Sequence, residues 1–209
     1  MSTTPQPDRR ARRREQTRAK LLEAARALFA RQGVDNTRIN EITEEADVGF
    51  GSFYNHFESK EAIVETVLAD AVAAQGAAIE AITSDLEDPA EVIAVAHRYF
   101  VRLARSDSEW AWLLVRLDVS HKVVLRALGP FARRDLKRGI RAGRLQVADE
   151  RIALDGAAGA MLAVMRAVLD GRAPKDVDVY HSEGILRLFG LTSAEAAEVA
   201  RRPLPRDVT

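Results

Sequence analysis

The sequence predicts an all-α fold, and three observations carry that prediction. Apolar residues recur at three- and four-residue intervals along most of the 209 positions, and no stretch alternates apolar with polar for long enough to make a convincing strand. Helix-opening residues recur along the chain: Ser59, Asp88-Pro89, and the capping boxes Ser106-x-x-Glu109 and Thr192-x-x-Glu195. Residues 37–60, TRINEITEEADVGFGSFYNHFESK, read as two short helices around a tight turn, followed by the start of a long helix.

Each element follows in order. Residues 1–8 are polar with two prolines, and with the arginines after them they predict a disordered basic arm over 1–11. Helix 1 is expected from about Arg12 to Gln32, with Leu21, Leu22, Ala25, Leu28 and Phe29 as its stripe and Gly33 as the residue that ends it. Thr37 is a good N-cap for helix 2, which turns Ile39, Ile42 and Ala46 inward. Helix 3 is expected from about Phe50 to Phe57. Ser59 caps helix 4, which runs to about Ile82. Asp88 and Pro89 open helix 5, and the Ser106 box opens helix 6. Helix 7 spans about Lys122 to Ala142, where Gly129-Pro130 should kink or split it. Helix 8 follows from about Glu150 to Asp170 and helix 9 from about Val177 to Phe189. The Thr192 box opens a short last helix before ARRPLP ends it. The expected division is an arm over 1–11, a three-helix domain over 12–58, and a larger helical domain over 59–209 entered through helix 4.

Composition narrows the chemistry. There is no Cys, which removes disulfides and thiolate metal sites and suits a reducing, cytoplasmic setting. The four His, at 56, 97, 121 and 181, have no metal-ligand spacing, so no metal or other cofactor is expected. No uninterrupted apolar run approaches the ~20 residues of a membrane span. Formal net charge is zero, but Arg9, Arg10, Arg12, Arg13, Arg14, Arg18 and Lys20 face only Asp8 and Glu15 within the first twenty residues. A basic end on an otherwise acidic body suits a chain that meets nucleic acid at one end. A solvated Arg-rich tail would look the same.

The short-helix pair carries the sharpest chemistry. Phe53 and Phe57 sit i, i+4 and can seat the second short helix on its neighbours. Gly49, Phe50, Ser52, Tyr54 and His56 are then left to face a DNA groove or its rims, and Gly51 permits close backbone approach. Thr37 offers a hydroxyl and local N–H groups to a phosphate oxygen.

At these residues the chain resembles the TetR family of bacterial transcriptional regulators. The resemblance rests on TRAKLLEAARALFARQG at 17–33, on Thr37, on V-x-x-G-x-x-Y-x-H-F at 48–57, and on Ser59-Lys60-Glu61; it covers about residues 15–65. It implies phosphate contacts from Thr37, Tyr54, His56 and Lys60, and base or near-base contacts from Gly49, Phe50 and Ser52. Arg18 of the basic stretch joins them as a candidate DNA contact. Three positions depart from the common pattern. Asp47 stands where Gly is frequent in the turn, and Asp tolerates left-handed geometry. Gly49 replaces a frequent Ser or Thr. Phe50 replaces a position often polar or basic, where it could meet a thymine methyl or lean on the helix. Operator preference therefore cannot be borrowed from relatives.

The resemblance also implies that helices 5–9 dimerise and sense a ligand. Helix 8 carries Gly156, Gly159, Ala160 and Ala163, and helix 9 carries Tyr180, Gly184, Ile185 and Leu188. In the family the corresponding helices of two subunits make a four-helix, isologous interface. An Ala-rich buried helix of a monomer would share the helix 8 pattern. Ligand-site candidates are His97, Phe100, Trp110, Leu113, Leu114, Leu117, Phe131, Met161 and Met165, although aromatic stripes at helical spacing also make ordinary core. The expected function is a homodimeric repressor released from a palindromic operator by a small hydrophobic ligand. Its partners would be double-stranded operator DNA, a second copy of the chain and an unidentified effector, with no membrane. The alternative is a ligand-independent regulator or activator whose helical body only dimerises or binds protein; a closed core would favour it. The chain carries no G-x-S-x-G, H-E-x-x-H or phosphate-cradling Gly loop, so catalysis is not expected.

Overall fold

The structure, a computed structural model, describes residues 9–116 and 120–205. Among these residues every regular element is a helix: α1 (Arg9–Gln32), α2 (Ile39–Glu45), α3 (Phe50–Tyr54), α4 (Lys60–Ile82), α5 (Pro89–Ser106), α6 (Ser108–Arg116), α7 (Ser120–Arg141), α8 (Glu150–Leu169), α9 (Val177–Leu188) and α10 (Ser193–Ala200). The chain divides into two compact units, the first through Leu68 and the second from Ala69 onward. The expected boundary at 58/59 falls instead on the cap of α4, where Ser59 Oγ accepts the Ala62 N–H at 3.3 Å. The first unit continues through two further turns because Ile63, Val64, Val67 and Leu68 of α4 are buried.

In the first unit Leu21, Ala25, Leu28, Ile42, Phe53 and Ile63 form the buried interior. Helix α1 begins at Arg9, so positions 9–11, expected in a disordered arm, are helical; residues 1–8 lie outside the described residues. Gly33 ends α1 as expected, at φ +80°, with its N–H on Phe29 O at 3.0 Å. Thr37 is not the cap of α2. Its hydroxyl donates to Gly33 O at 2.7 Å and its N–H to Val34 O at 3.2 Å, folding the residue into the turn. Arg38 precedes α2 in extended geometry, and the Glu41 carboxylate reaches back to its N–H at 2.7 Å. That bond, and one from Gln32 Nε2 at 3.3 Å, hold the Glu41 carboxyl below its ordinary pKa. Asp47 takes φ 52° in the turn between α2 and α3, the left-handed geometry anticipated for it.

In the second unit α5 packs against α6, α7, α8, α9 and α10. Asp88 accepts the Ala90 N–H at 3.0 Å and Asp149 the Ile152 N–H at 2.9 Å, so both cap their helices. Thr192 and Glu195 complete the expected reciprocal box at α10. Ser106 is the last residue of α5 rather than the cap of α6. Asp107 caps α6 by accepting the Trp110 N–H at 3.0 Å, while Ser106 Oγ folds back onto the carbonyls of Arg102 and Leu103 at the end of α5. Helix α7 runs unbroken through Gly129-Pro130. Pro130 is exposed, so the carbonyl it leaves unpaired one turn earlier can take a hydrogen bond from water. Gly190, at φ +96°, lets the chain pass Gln146; a Cβ there would lie 2.3 Å from Gln146 O.

Helices α4 and α8 are each long and apolar enough to cross a membrane by length and composition. Charges interrupt both, at Glu65 and Asp70 of α4 and at Asp155 and Arg166 of α8.

Candidate nucleic-acid interface and ligand cavity

Helix α3 is seated by aromatic packing. Phe53 and Phe57 are buried with ring centroids 5.7 Å apart, and the Arg18 guanidinium lies 5.4 Å from the Phe57 centroid. The same helix leaves Phe50 and Tyr54 53% and 52% exposed. Their rings meet edge-on at 5.7 Å, and Tyr54 also meets Phe53 edge-on at 5.4 Å. Two large rings held outward by a rigid support can contact a partner at little entropic cost. Gly49 and Gly51 are exposed beside them, with Ser52 half-buried.

An open groove on this unit gathers Arg10, Arg13, Arg14, Thr17, Ser52 and His56. Arg14 reaches the Asn55 carbonyl at 3.4 Å, tying α1 to the end of α3. Burial, and then the charges of Arg14 and Arg18, lower the pKa of His56. It is therefore a neutral N–H donor near neutral pH. Lys60 donates to Asp35 O at 3.5 Å. Thr37 is only 1% exposed, so its hydroxyl is withdrawn from any phosphate in this conformation. The arginines at 10, 13 and 14 were not singled out as individual candidates, although they line this groove. Their i, i+3, i+4 spacing, continued by Thr17, puts them on one face only once α1 is known to start at Arg9.

The second unit forms a partly open cavity of about 340 Å³. Its apolar wall includes Ile79, Ile93, Phe100, Leu128, Phe131 and Met161, drawn from α4, α5, α7 and α8. His97 is the imidazole in this wall, and Arg133, Arg134, Arg151 and Asp155 supply charge. Arg134 is paired with Glu80 and Asp135. Gly76 of α4 brings that helix against α7; a Cβ there would come within 3.0 Å of Leu128 Cδ2 and 3.1 Å of Phe131 Cε2.

Four of the expected ligand residues, His97, Phe100, Phe131 and Met161, line the cavity. Three do not. Leu114 and Met165 are fully buried core, and Trp110 stacks behind Phe100 at 6.5 Å. The side chain of Leu113 and all of Leu117 lie outside the described residues.

The expected dimer residues also divide. On α8, Gly156 and Ala163 are exposed, while Gly159 and Ala160 are half-buried. On α9, Tyr180, Gly184 and Leu188 are exposed, whereas Ile185 is 3% exposed and belongs to the core with Leu154, Leu186 and Phe189. It points inward because it is one turn from Phe189 on the inner face of α9.

Beneath that face Arg98 and Arg102 of α5 meet Asp178 of α9 at 3.3 and 2.9 Å, and Arg98 also donates to Arg202 O at 2.8 Å. Burial pushes the Asp178 carboxyl up, but the hydrogen bonds and charges of Arg102 and Arg98 outweigh it and hold the pKa below its ordinary value.

Comparison with known proteins agrees with this division. Residues 21–67 match the model of bacterial regulatory proteins of the tetR family, and residues 88–202 match that of the tetracyclin repressor-like C-terminal domain. The HTH-type transcriptional repressor KstR2 of Mycolicibacterium smegmatis is 43% identical over 53 residues, 25% of this chain and 26% of that protein. The HTH-type transcriptional regulator TcmR of Streptomyces glaucescens is 33% identical over 97 residues, 46% and 42% of the two chains. These matches thus span about a quarter to less than half of the curated relatives. The crystal structure of RolR with its ligand resorcinol superposes at a TM-score of 0.83, with 40% identity over 95% of this chain and 100% of that one. RolR without ligand superposes at 0.80, with 38% identity over 91% and 100%. The chain belongs to the TetR family of bacterial transcriptional regulators.

Proposed function

We propose that the chain is a homodimeric, cytoplasmic repressor that holds a palindromic operator through its first unit and releases it when a small phenol-like ligand fills the cavity of its second. The cavity is the observation that carries this reading. An apolar cavity of roughly 150 Å³ takes up benzene, so about 340 Å³ suits a substituted ring with room to spare. The 40% identity to RolR supports a hydroxylated ring, since RolR was crystallised with resorcinol. A body that only dimerised would have no use for such a cavity, which disfavours the ligand-independent alternative.

Dimerisation is supported by what one chain leaves uncovered. Ile152, Tyr180 and Leu188 are 68%, 54% and 46% exposed, the only large apolar residues so exposed among the described residues outside α3. They lie on α8 and α9 with the exposed Gly156 and Gly184, whose missing side chains permit close helix approach. Two recognition helices about 34–36 Å apart would then read successive major grooves. Helix α4 offers the link to release. It supplies Gly76 and Ile79 to the cavity wall and carries Lys60 at its other end. A ligand works here only by favouring one position of that helix over another.

The test is a mobility-shift titration with DNA flanking the chain's own gene, followed by addition of resorcinol. Binding at a stoichiometry of two chains per site, reversed by resorcinol, is the expected result. Binding that resorcinol and other phenols leave untouched would return the ligand-independent reading.

A further inference from the structure

Most of the cavity wall offers a ligand only carbon. Of the charged groups that line it, Glu80, Arg133, Arg134 and Arg151 are exposed, Asp135 is paired with Arg134, and Asp155 is half-buried. His97 is likewise half-buried, and it is the imidazole of the wall, reaching it from α5.

Behind His97 stands a second imidazole. His97 Nδ1 lies 3.0 Å from Nε2 of His181 on α9, with ring centroids 5.0 Å apart and planes inclined by 59°. His181 is 8% exposed. Burial lowers the pKa of His97 well below its ordinary value, with the charge of His181 adding to it, and burial brings His181 to about 4. Two neutral imidazoles share one hydrogen across that gap, and two arrangements are available. If His97 donates through Nδ1, its Nε2 is an acceptor. If His181 donates through Nε2, the Nε2 of His97 carries the hydrogen and donates. With Nδ1 committed to His181, Nε2 is the nitrogen left for the cavity in either case.

We propose that His97 hydrogen-bonds a hydroxyl of the effector through Nε2, and that His181 is the positioning residue that fixes the ring for that contact. The inference rests on the phenolic reading of the cavity and goes beyond it, because it assigns the hydroxyl to one residue. A hydroxyl suits this pair because it donates and accepts, and so satisfies either arrangement. A ligand of the same shape without a hydroxyl leaves Nε2 unpaired in an apolar wall, which a site of this kind rejects. The pair has no local signature, since its members are 84 residues apart in the chain.

The experiment is calorimetric titration of the full chain with two probes: resorcinol and m-xylene, in which methyls of similar size replace both hydroxyls and can neither donate nor accept. The variants separate a ligand contact from a helix tie. His97→Asn keeps an amide near the Nδ1 position, and with it the link to His181, but withdraws the Nε2 position from the cavity. His181→Gln keeps a polar group near the Nε2 position that His97 meets, whereas His181→Leu removes it. Thermal melts check that each variant is folded.

We expect wild type and His181→Gln to bind resorcinol alike, His97→Asn and His181→Leu to bind it at least tenfold more weakly, and wild type to bind m-xylene at least tenfold more weakly than resorcinol. Equal resorcinol affinity in His97→Asn and wild type would overturn the role of His97 and leave the phenolic cavity standing. Equal affinity of the two probes for wild type would overturn it without any variant. No resorcinol binding to wild type would overturn the phenolic reading, and this inference with it.

Discussion

The two units treat polar groups in opposite ways. The first keeps its cations in water: Arg10, Arg13 and Arg14 are exposed along the N-terminal turns of α1, where the helix dipole disfavours positive charge. It also holds Phe50 and Tyr54 more than half exposed. The second unit does the reverse. It buries Arg98 and Asp178 against each other and encloses two histidines that burial keeps neutral. Groups left in water at a local energetic disadvantage suit a partner that arrives from solution with negative charge. Groups enclosed and mutually satisfied suit a body that must hold one shape around a cavity. Salt should therefore act on the first unit and pH on the second.

The largest effect that tests this contrast lies in the buried ion cluster. Asp178→Ala leaves Arg98 charged and buried without its carboxylate, so unfolding in urea should show a loss of about 3–5 kcal/mol. A loss under 1 kcal/mol would mean that water reaches the cluster and that the second unit is not closed there.

Next comes pH. The folded pKa of His181, about 4, lies below its unfolded value near 6.5. The unfolded chain therefore binds the proton first as pH falls. Stability is full above about pH 6.5, declines below it, and levels off near pH 4, with a total on the order of 3 kcal/mol from this group. The Asp178 carboxyl is shifted the same way, to below its ordinary value of 3.8, so its contribution is likewise lost as pH falls, but only at lower pH still. Melting curves between pH 7.5 and 4.5 should fall for wild type and fall less for His181→Gln. Parallel curves would place His181 in contact with water.

The remaining effects fall on the first unit and leave stability alone. Tyr54→Phe keeps the edge-on packing with Phe50 and Phe53 and removes one exposed hydroxyl. Operator affinity should fall about tenfold, the scale of a hydrogen bond to a charged phosphate, with an unchanged melting temperature. Arg13→Ala should weaken binding to all sequences alike and reduce the slope of log affinity against log salt by about 1. An unchanged slope would remove the α1 groove from the DNA interface.

The sequence exposed these two units unequally, for a physical reason. A recognition helix is a local object: Phe53 and Phe57 at i, i+4, a left-handed Asp47 and a Ser59 cap are all set within twenty residues. Thr37 was misplaced because the hydroxyl that makes Thr a helix cap serves equally well to close the preceding turn on Gly33. In the second unit the stripe pattern identified buried faces but could not separate a cavity wall from solid core. Phe100 and Met161 line the cavity while Leu114 and Met165 do not, and all four are apolar residues at helical spacing. The α4 contribution, Gly76 and Ile79, was missed because apolar residues surround that helix on nearly every side. Ile185 was assigned to the wrong face by a single residue, since its neighbour Gly184 is exposed.

Everything proposed above turns on the first unit gripping DNA and a ligand in the second undoing that grip. Footprinting on the DNA flanking the chain's own gene, at two salt concentrations and with and without resorcinol, separates the two outcomes. A protected palindrome that weakens as salt rises and is lost when resorcinol is added at low salt is the expected result. Protection that persists at low salt across resorcinol and other phenols would contradict it, leaving a regulator whose cavity has no hold on its DNA.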